Sequence, residues 1–166
     1  MLPDNSESQM TTQYEKALVG EITPAMLVAA NQERVAPGQV RDELARGTAV
    51  LPVNPAHHAL APTVVGRAFT TKINANIGRS TEKSSKEEEI AKMHVALTAG
   101  TDFLMDLSVG LNSGDLRRAM IAACPVPFGT VPIYEAFARV ENKIEALNEE
   151  VLFRLSANRR NRGLTL

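Results

Sequence analysis

Asn74 and Asn76 stand two residues apart in the stretch TKINANIG (71–78), so in an extended strand both amides leave the same face. That face is expected to be buried. A buried amide without a partner costs roughly 1–3 kcal/mol, so each must be satisfied by neighbouring strand-end backbone, by water or by a ligand. Met105 and Tyr134 fall near the ends of two further strand-like runs, where βα loops open onto the site in parallel α/β folds. Taken singly, a methionine in an apolar run is packing, and a strand-end tyrosine finds a partner for its hydroxyl. Asp106, beside Met105, has the chemistry of a base or a ligand, but the preferred reading is a cap for the loop that follows.

The other reactive residue types carry less. His57 and His58 in NPAHHA are metal-ligand types, but adjacent side chains in extended chain diverge, and no nearby cysteine or carboxylate cluster completes a set. GRS after the first strand-like run is too short for a phosphate-binding fingerprint. KSSKEEE (83–89) reads as a solvated helix start, because acids in a first turn complement the helix dipole. Cys124 is the single cysteine, which excludes an internal disulfide framework and any self-contained cysteine-rich metal or cluster site. A reducing, cytoplasmic setting fits that usage.

The elements that must position these residues are legible from capping and periodicity. With 166 residues and 44% hydrophobic content, the chain suffices for one domain with a real core. A net charge of -1 and the lack of a basic stripe give no pull toward nucleic acid. No apolar run is long enough for a membrane span, and the polar, acidic start MLPDNSESQM is unlike a signal peptide. Residues 1–11 are expected to be a disordered start. Thr12 with Glu15 forms a capping-box signature for a short helix through Leu18, and Thr23 followed by Pro24 opens a second. A third is expected from Pro37 to Arg46, then a strand over 48–53 that Pro52 places at an edge or a strand end.

From Thr70 the texture becomes strand, then helix, three times. TKINANIG is followed by a helix capped at Ser85 and stopped by Gly100. DFLMDLS (102–108) is followed by a helix capped at Ser113 that ends before Pro125. VPFGTVPIY (126–134) reads as the third strand, with a helix from Glu141 to Leu155 behind it. Such alternation implies crossovers and a parallel sheet. A full (β/α)8 barrel needs about 250 residues, so the expected fold is α/β: a mostly helical N-terminal domain (12–69), then the first three β/α units of an incomplete barrel (70–155). Open sheet edges and an uncovered apolar face predict aggregation or partial unfolding.

Several blocks, in order, resemble one family. TQYEKALVGEITPAM, VRDELARGTAVLPVN, VVGRAFTTKINANIGRS, SSKEEEIAKM, FLMDLSVG and CPVPFGTVPIYEA are similar to the N-terminal half of phosphomethylpyrimidine synthases, from about Thr12 to Leu155. The resemblance implies a (β/α)8 barrel behind an N-terminal domain, and a homodimer in the full-length enzyme. It implies a [4Fe-4S] cluster, S-adenosylmethionine and a divalent metal such as zinc as full-length cofactors. The implied reaction is a radical rearrangement of aminoimidazole ribonucleotide to hydroxymethylpyrimidine phosphate in thiamine biosynthesis, with the cofactor carrying the hard chemistry. It also implies that the asparagine, methionine and tyrosine of the three strand motifs contact the nucleotide. These fall on Asn76, Met105 and Tyr134, each 29 residues from the next.

The family's C-terminal Cys-x2-Cys-x4-Cys and its metal-binding histidines have no counterpart here, and Cys124 cannot replace three thiolates. This chain alone is therefore expected to carry no catalytic residues, to bind none of these cofactors and to be inactive. A related 5-hydroxybenzimidazole synthase uses the same substrate, but its motifs read closer to NAS and MELS than to the NAN and MDLS found here. A non-catalytic nucleotide-binding or interaction module is a second reading, and an RNA binder using the arginine-rich end is a third. After VLFRL the chain departs from the family pattern into SANRRNRGLTL, and the expectation is a change of reading frame near Ser156 that makes 156–166 an out-of-frame tail.

Overall fold

The computed structural model describes residues 12–79, 85–109, 114–141 and 143–160, with backbone alone over 157–160. The chain divides into two compact units. One comprises the residues up to Leu51 together with Val64–Thr70, and the other Pro52–Thr63 together with the chain from Thr71 onward.

In the first unit, three short helices pack into one core: α1 (Gln13–Leu18), α2 (Pro24–Glu33) and α3 (Pro37–Ala45). Local chemistry starts each of them. Thr12 and Glu15 form the reciprocal capping box, and the Thr23 hydroxyl accepts the Met26 N–H while Pro24 occupies the first helical position. Met26, Ala29, Ala30, Val40 and Leu44 are buried between the helices. The strand expected over 48–53 shrinks to β1 (Ala49–Val50), which pairs antiparallel with β2 (Val65–Gly66). Pro52 donates no ladder hydrogen bond, so pairing stops before it.

The second unit is built on a three-stranded parallel sheet. Its order is β3 (Asn74–Ile77), β4 (Phe103–Asp106), β5 (Phe128–Thr130), so β3 and β5 are both edges. Helix α4 (Lys86–Thr98) starts at the Ser85–Glu88 capping box, and α5 (Gly114–Ala123) connects β4 to β5. The expected cap Ser113 lies outside the described residues. Both helices bury their apolar stripes against one face of the sheet: Met93, Leu116, Met120, Ile121 and Cys124 meet Leu104 and Phe128 in one cluster, with Ala75 and Ile77 at its margin. The architecture is thus mixed α/β with parallel strand–helix repeats, and no closed barrel is present among the described residues.

Two expected boundaries are corrected. The third strand, expected over 126–134, ends at Thr130, and Pro132 opens α6 (Pro132–Arg139) with Val131 as its extended N-cap residue. Proline at a first helical position is pre-set for helix, and here that preference outweighs the β-rich composition of VPIY. The helix expected from Glu141 to Leu155 is instead a 3₁₀ turn (Ile144–Ala146) followed by α7 (Glu149–Arg160). Glu141 has a φ of 51°, which breaks the helical path just after α6. Leu155 is buried while Ile144 is exposed, so the two ends of the expected helix fall on separate elements in different surroundings.

Candidate functional site

The parallel register aligns Asn76 with Met105 and Met105 with Gly129. Side chains aligned across a sheet share a face, so Asn76 and Met105 stand side by side, and the third position carries no side chain. The alternate residues Ala75, Leu104 and Phe128 point into the core on the other face. Gly129 is itself buried, so the row runs from exposed Asn76 through half-buried Met105 to a covered backbone at β5.

Asn74 and Asn76 do share a face, but the expectation that it is buried is corrected, because both residues are exposed. Helices α4 and α5 cover the opposite face. The Asn74 Nδ2 donates to the Asn76 Oδ1 at 2.7 Å, so the two amides also satisfy each other. Met105 is half-buried. Tyr134 is not at a strand end but in the first turn of α6, where it is 41% exposed. The structure thus brings Asn76 and Met105 together directly and puts Tyr134 on the element that follows β5.

Asp106 is neither exposed nor poised as a base. It is 1% exposed on the helix-facing side of β4, where its Oδ2 accepts from Arg117 Nε at 2.7 Å and its Oδ1 from the Ser108 N–H at 2.8 Å. The loop cap read from the sequence is present, with a buried ion pair added. Arg117 also donates from Nη1 to Glu135 Oε2 at 2.7 Å, and Arg139 pairs with the other oxygen of Glu135 at 2.8 Å. Among the described contacts, Asp106, Arg117, Glu135 and Arg139 form a row in which carboxylates and guanidiniums alternate. Sequence reading missed Arg117. Its signal was an arginine on the stripe that also carries Leu116, Met120 and Ile121, a position that an unpaired cation does not occupy.

His57 and Cys124 belong to a structural contact. His57 is 3% exposed, and its Nε2 bonds the Cys124 carbonyl at 2.7 Å, while Nδ1 makes no hydrogen bond of good geometry among the described residues. The Ala61 N–H donates to the Pro125 carbonyl at 2.8 Å, so the 52–63 segment is tied at two points to the turn entering β5. Burial pushes the Cys124 thiol up, and its Sγ donates to the Val126 carbonyl at 3.3 Å. It is a packed thiol rather than a thiolate. One such thiol does not fit a [4Fe-4S] cluster, which takes at least three thiolates. Among the described residues no group of three or more His, Cys, Asp or Glu could hold a metal ion, and no helix is long and apolar enough to cross a membrane.

Burial, against the pull of the bond to the Cys124 carbonyl, holds His57 below its ordinary value of 6.5. The unfolded chain therefore takes up this proton before the folded one as pH falls. The His57 contribution to stability is full above pH 6.5 and is lost below it. Urea midpoints of the wild-type chain and His57→Gln, compared between about pH 7.5 and 5.5, should converge as pH falls. A constant gap would refute the assignment.

A parallel strand–helix series with Asn76 and Asp106 toward the carboxyl ends of its strands is of the mixed α/β class. Comparison with known proteins narrows the class. The sequence profile of the radical SAM ThiC family matches residues 12–166. The phosphomethylpyrimidine synthase of Haloarcula marismortui is 45% identical over 141 residues, covering 85% of this chain and 29% of the relative. That of Halobacterium salinarum is 47% identical over 133 residues, covering 80% and 28%, and that of Natronomonas pharaonis 46% over 143 residues, covering 86% and 30%. The chain belongs to the radical SAM ThiC family. It spans less than a third of the length of these relatives.

Proposed function

We propose that this chain is the N-terminal part of a phosphomethylpyrimidine synthase, and that the carboxyl edge of its parallel sheet supplies one wall of the aminoimidazole ribonucleotide site. The observation that carries the reading is the side-by-side placement of Asn76 and Met105 on the face left open by the helices. An amide that donates and accepts, next to a polarizable thioether, suits a flat heteroaromatic ring with exocyclic nitrogen. Tyr134, at the start of α6, would add an aromatic face and a hydroxyl from the neighbouring element. The name shared by the relatives from Haloarcula, Halobacterium and Natronomonas, phosphomethylpyrimidine synthase, supports the same kind of synthase.

The radical chemistry belongs to S-adenosylmethionine and an iron–sulfur cluster, for which these residues provide no ligand set. Their part is to bind and orient the nucleotide. With one wall only, affinity should be weak, about 1 mM, and the chain alone should not turn over substrate.

The test uses methyl-labelled methionine. The sequence has six methionines, of which Met26, Met93 and Met120 are fully buried. On titration with aminoimidazole ribonucleotide, the Met105 methyl resonance should shift with saturation near about 1 mM, and those three buried methyls should stay fixed. Asn76→Ala should abolish the shift. No movement at Met105, or equal movement with ribose 5-phosphate, would defeat the substrate assignment. Submicromolar binding would favour a self-sufficient binding module.

A further inference from the structure

We infer that Arg117 is a positioning residue whose buried guanidinium fixes the carboxyl end of β4 against the first turn of α6, and so sets Met105 relative to Tyr134. The inference rests on the reading that Met105 and Tyr134 face the nucleotide. Its geometry is independent of any ligand. Arg117 lies on α5 and is only 4% exposed. One arm of its fork holds Asp106, the residue after Met105, and another holds Glu135, the residue after Tyr134, each at 2.7 Å.

The alternation of a strand makes this contact informative. Met105 and Asp106 point to opposite faces of β4, so a clamp on Asp106 from the helix side holds the backbone that presents Met105 on the other side. The same guanidinium reaches α6, which is too short to hold its own orientation without tertiary contacts. A planar fork of donors transmits direction as well as charge, and a lysine ammonium does not. Asp106 Oδ1 also accepts the Ser108 N–H, so the clamp includes the loop after β4. Arg139 pairs with the same Glu135 at the outer end.

Hydrogen exchange of the whole chain, read without nucleotide, tests the inference. Arg117→Lys keeps the charge and loses the fork. It should accelerate exchange of the Ser108 amide and of the α6 amides about tenfold, the effect of losing one charge-assisted bond, and leave the α4 amides unchanged. The Tyr134 ring and Met105 methyl resonances should move with it. Arg117→Met should show a larger effect at the same positions. If that variant does not fold, Arg117→Lys decides. Uniform acceleration through α4, α5 and α6 would reduce Arg117 to a general stabiliser, and unchanged α6 exchange would remove the role altogether. Neither result touches the nucleotide titration of the wild-type chain, which can fail separately.

Discussion

Asp106→Ala is expected to destabilise the α/β unit by about 3–5 kcal/mol, because removing one partner of a buried ion pair strands the other charge in the interior. The guanidinium of Arg117 would keep Glu135 but lose its contact at Asp106, in a place where water does not reach it. The Ser108 N–H would lose its acceptor as well. Against a domain stability of roughly 5–15 kcal/mol, such a loss leaves little margin. Asp106→Asn should fall between, since an amide oxygen still accepts from Ser108 while the charge is gone. A surface pair sets the scale. Arg154 and Glu150 are bonded at 2.6 Å with about three-quarters of each side chain exposed, and Glu150→Ala should cost about 1 kcal/mol or less. Urea midpoints for the three variants rank these expectations, and an Asp106→Ala shift no larger than that of Glu150→Ala would show that the buried network contributes no net stability.

Why Asp106 reads as a base, a ligand or a cap from sequence, and as an ion pair only from structure, has a physical answer. A cap is a local event, two residues from the aspartate, and local chemistry is visible in a string. Thr12 with Glu15, Thr23 before Pro24 and Ser85 with Glu88 are legible for the same reason, and all three form as read. The apolar stripes of α4 and α5 are legible by their period, and repeated strand–helix alternation by itself implies the parallel sheet. The partner of Asp106 lies on the next helix, across a packing interface, and its identity depends on how α5 rotates onto the sheet. The same limit explains β2: Val65–Gly66 forms a strand only because Ala49–Val50 is there to pair with it. At the end of β5, two local signals disagree, β-rich composition against Pro132, and the proline prevails, which puts Tyr134 on a helix. The exposure of Asn74 and Asn76 cannot be read at all from alternation, which says that residues share a face and not what covers it.

Gly78→Ala should have the second large effect, about 3 kcal/mol or more, by adding steric overlap to a backbone that L-residues rarely adopt. Gly78 follows β3 with a φ of 144°, and a Cβ there would lie 2.6 Å from the Ser108 nitrogen and 2.8 Å from the Leu107 carbonyl carbon. Both atoms are backbone, so no side-chain rotation relieves the contact. The approach is close because the two strands stay paired beyond their ends: the Leu107 N–H donates to Ile77 O at 2.7 Å, and the Val109 N–H to Arg79 O at 3.1 Å. An alanine would have to separate the chains where Asn76 and Met105 are held side by side. Gly100→Ala isolates the conformational part of this cost. That glycine ends α4 with a φ of 86°, and a methyl added there would meet nothing within 4 Å, so its substitution should cost only about 1–2 kcal/mol. The excess of Gly78→Ala over Gly100→Ala, measured by urea unfolding, is the steric contribution. It should appear together with a shift of the Met105 methyl resonance that Gly100→Ala does not produce. Equal costs, or an unmoved Met105, would mean that the two strand ends separate without disturbing the wall they form.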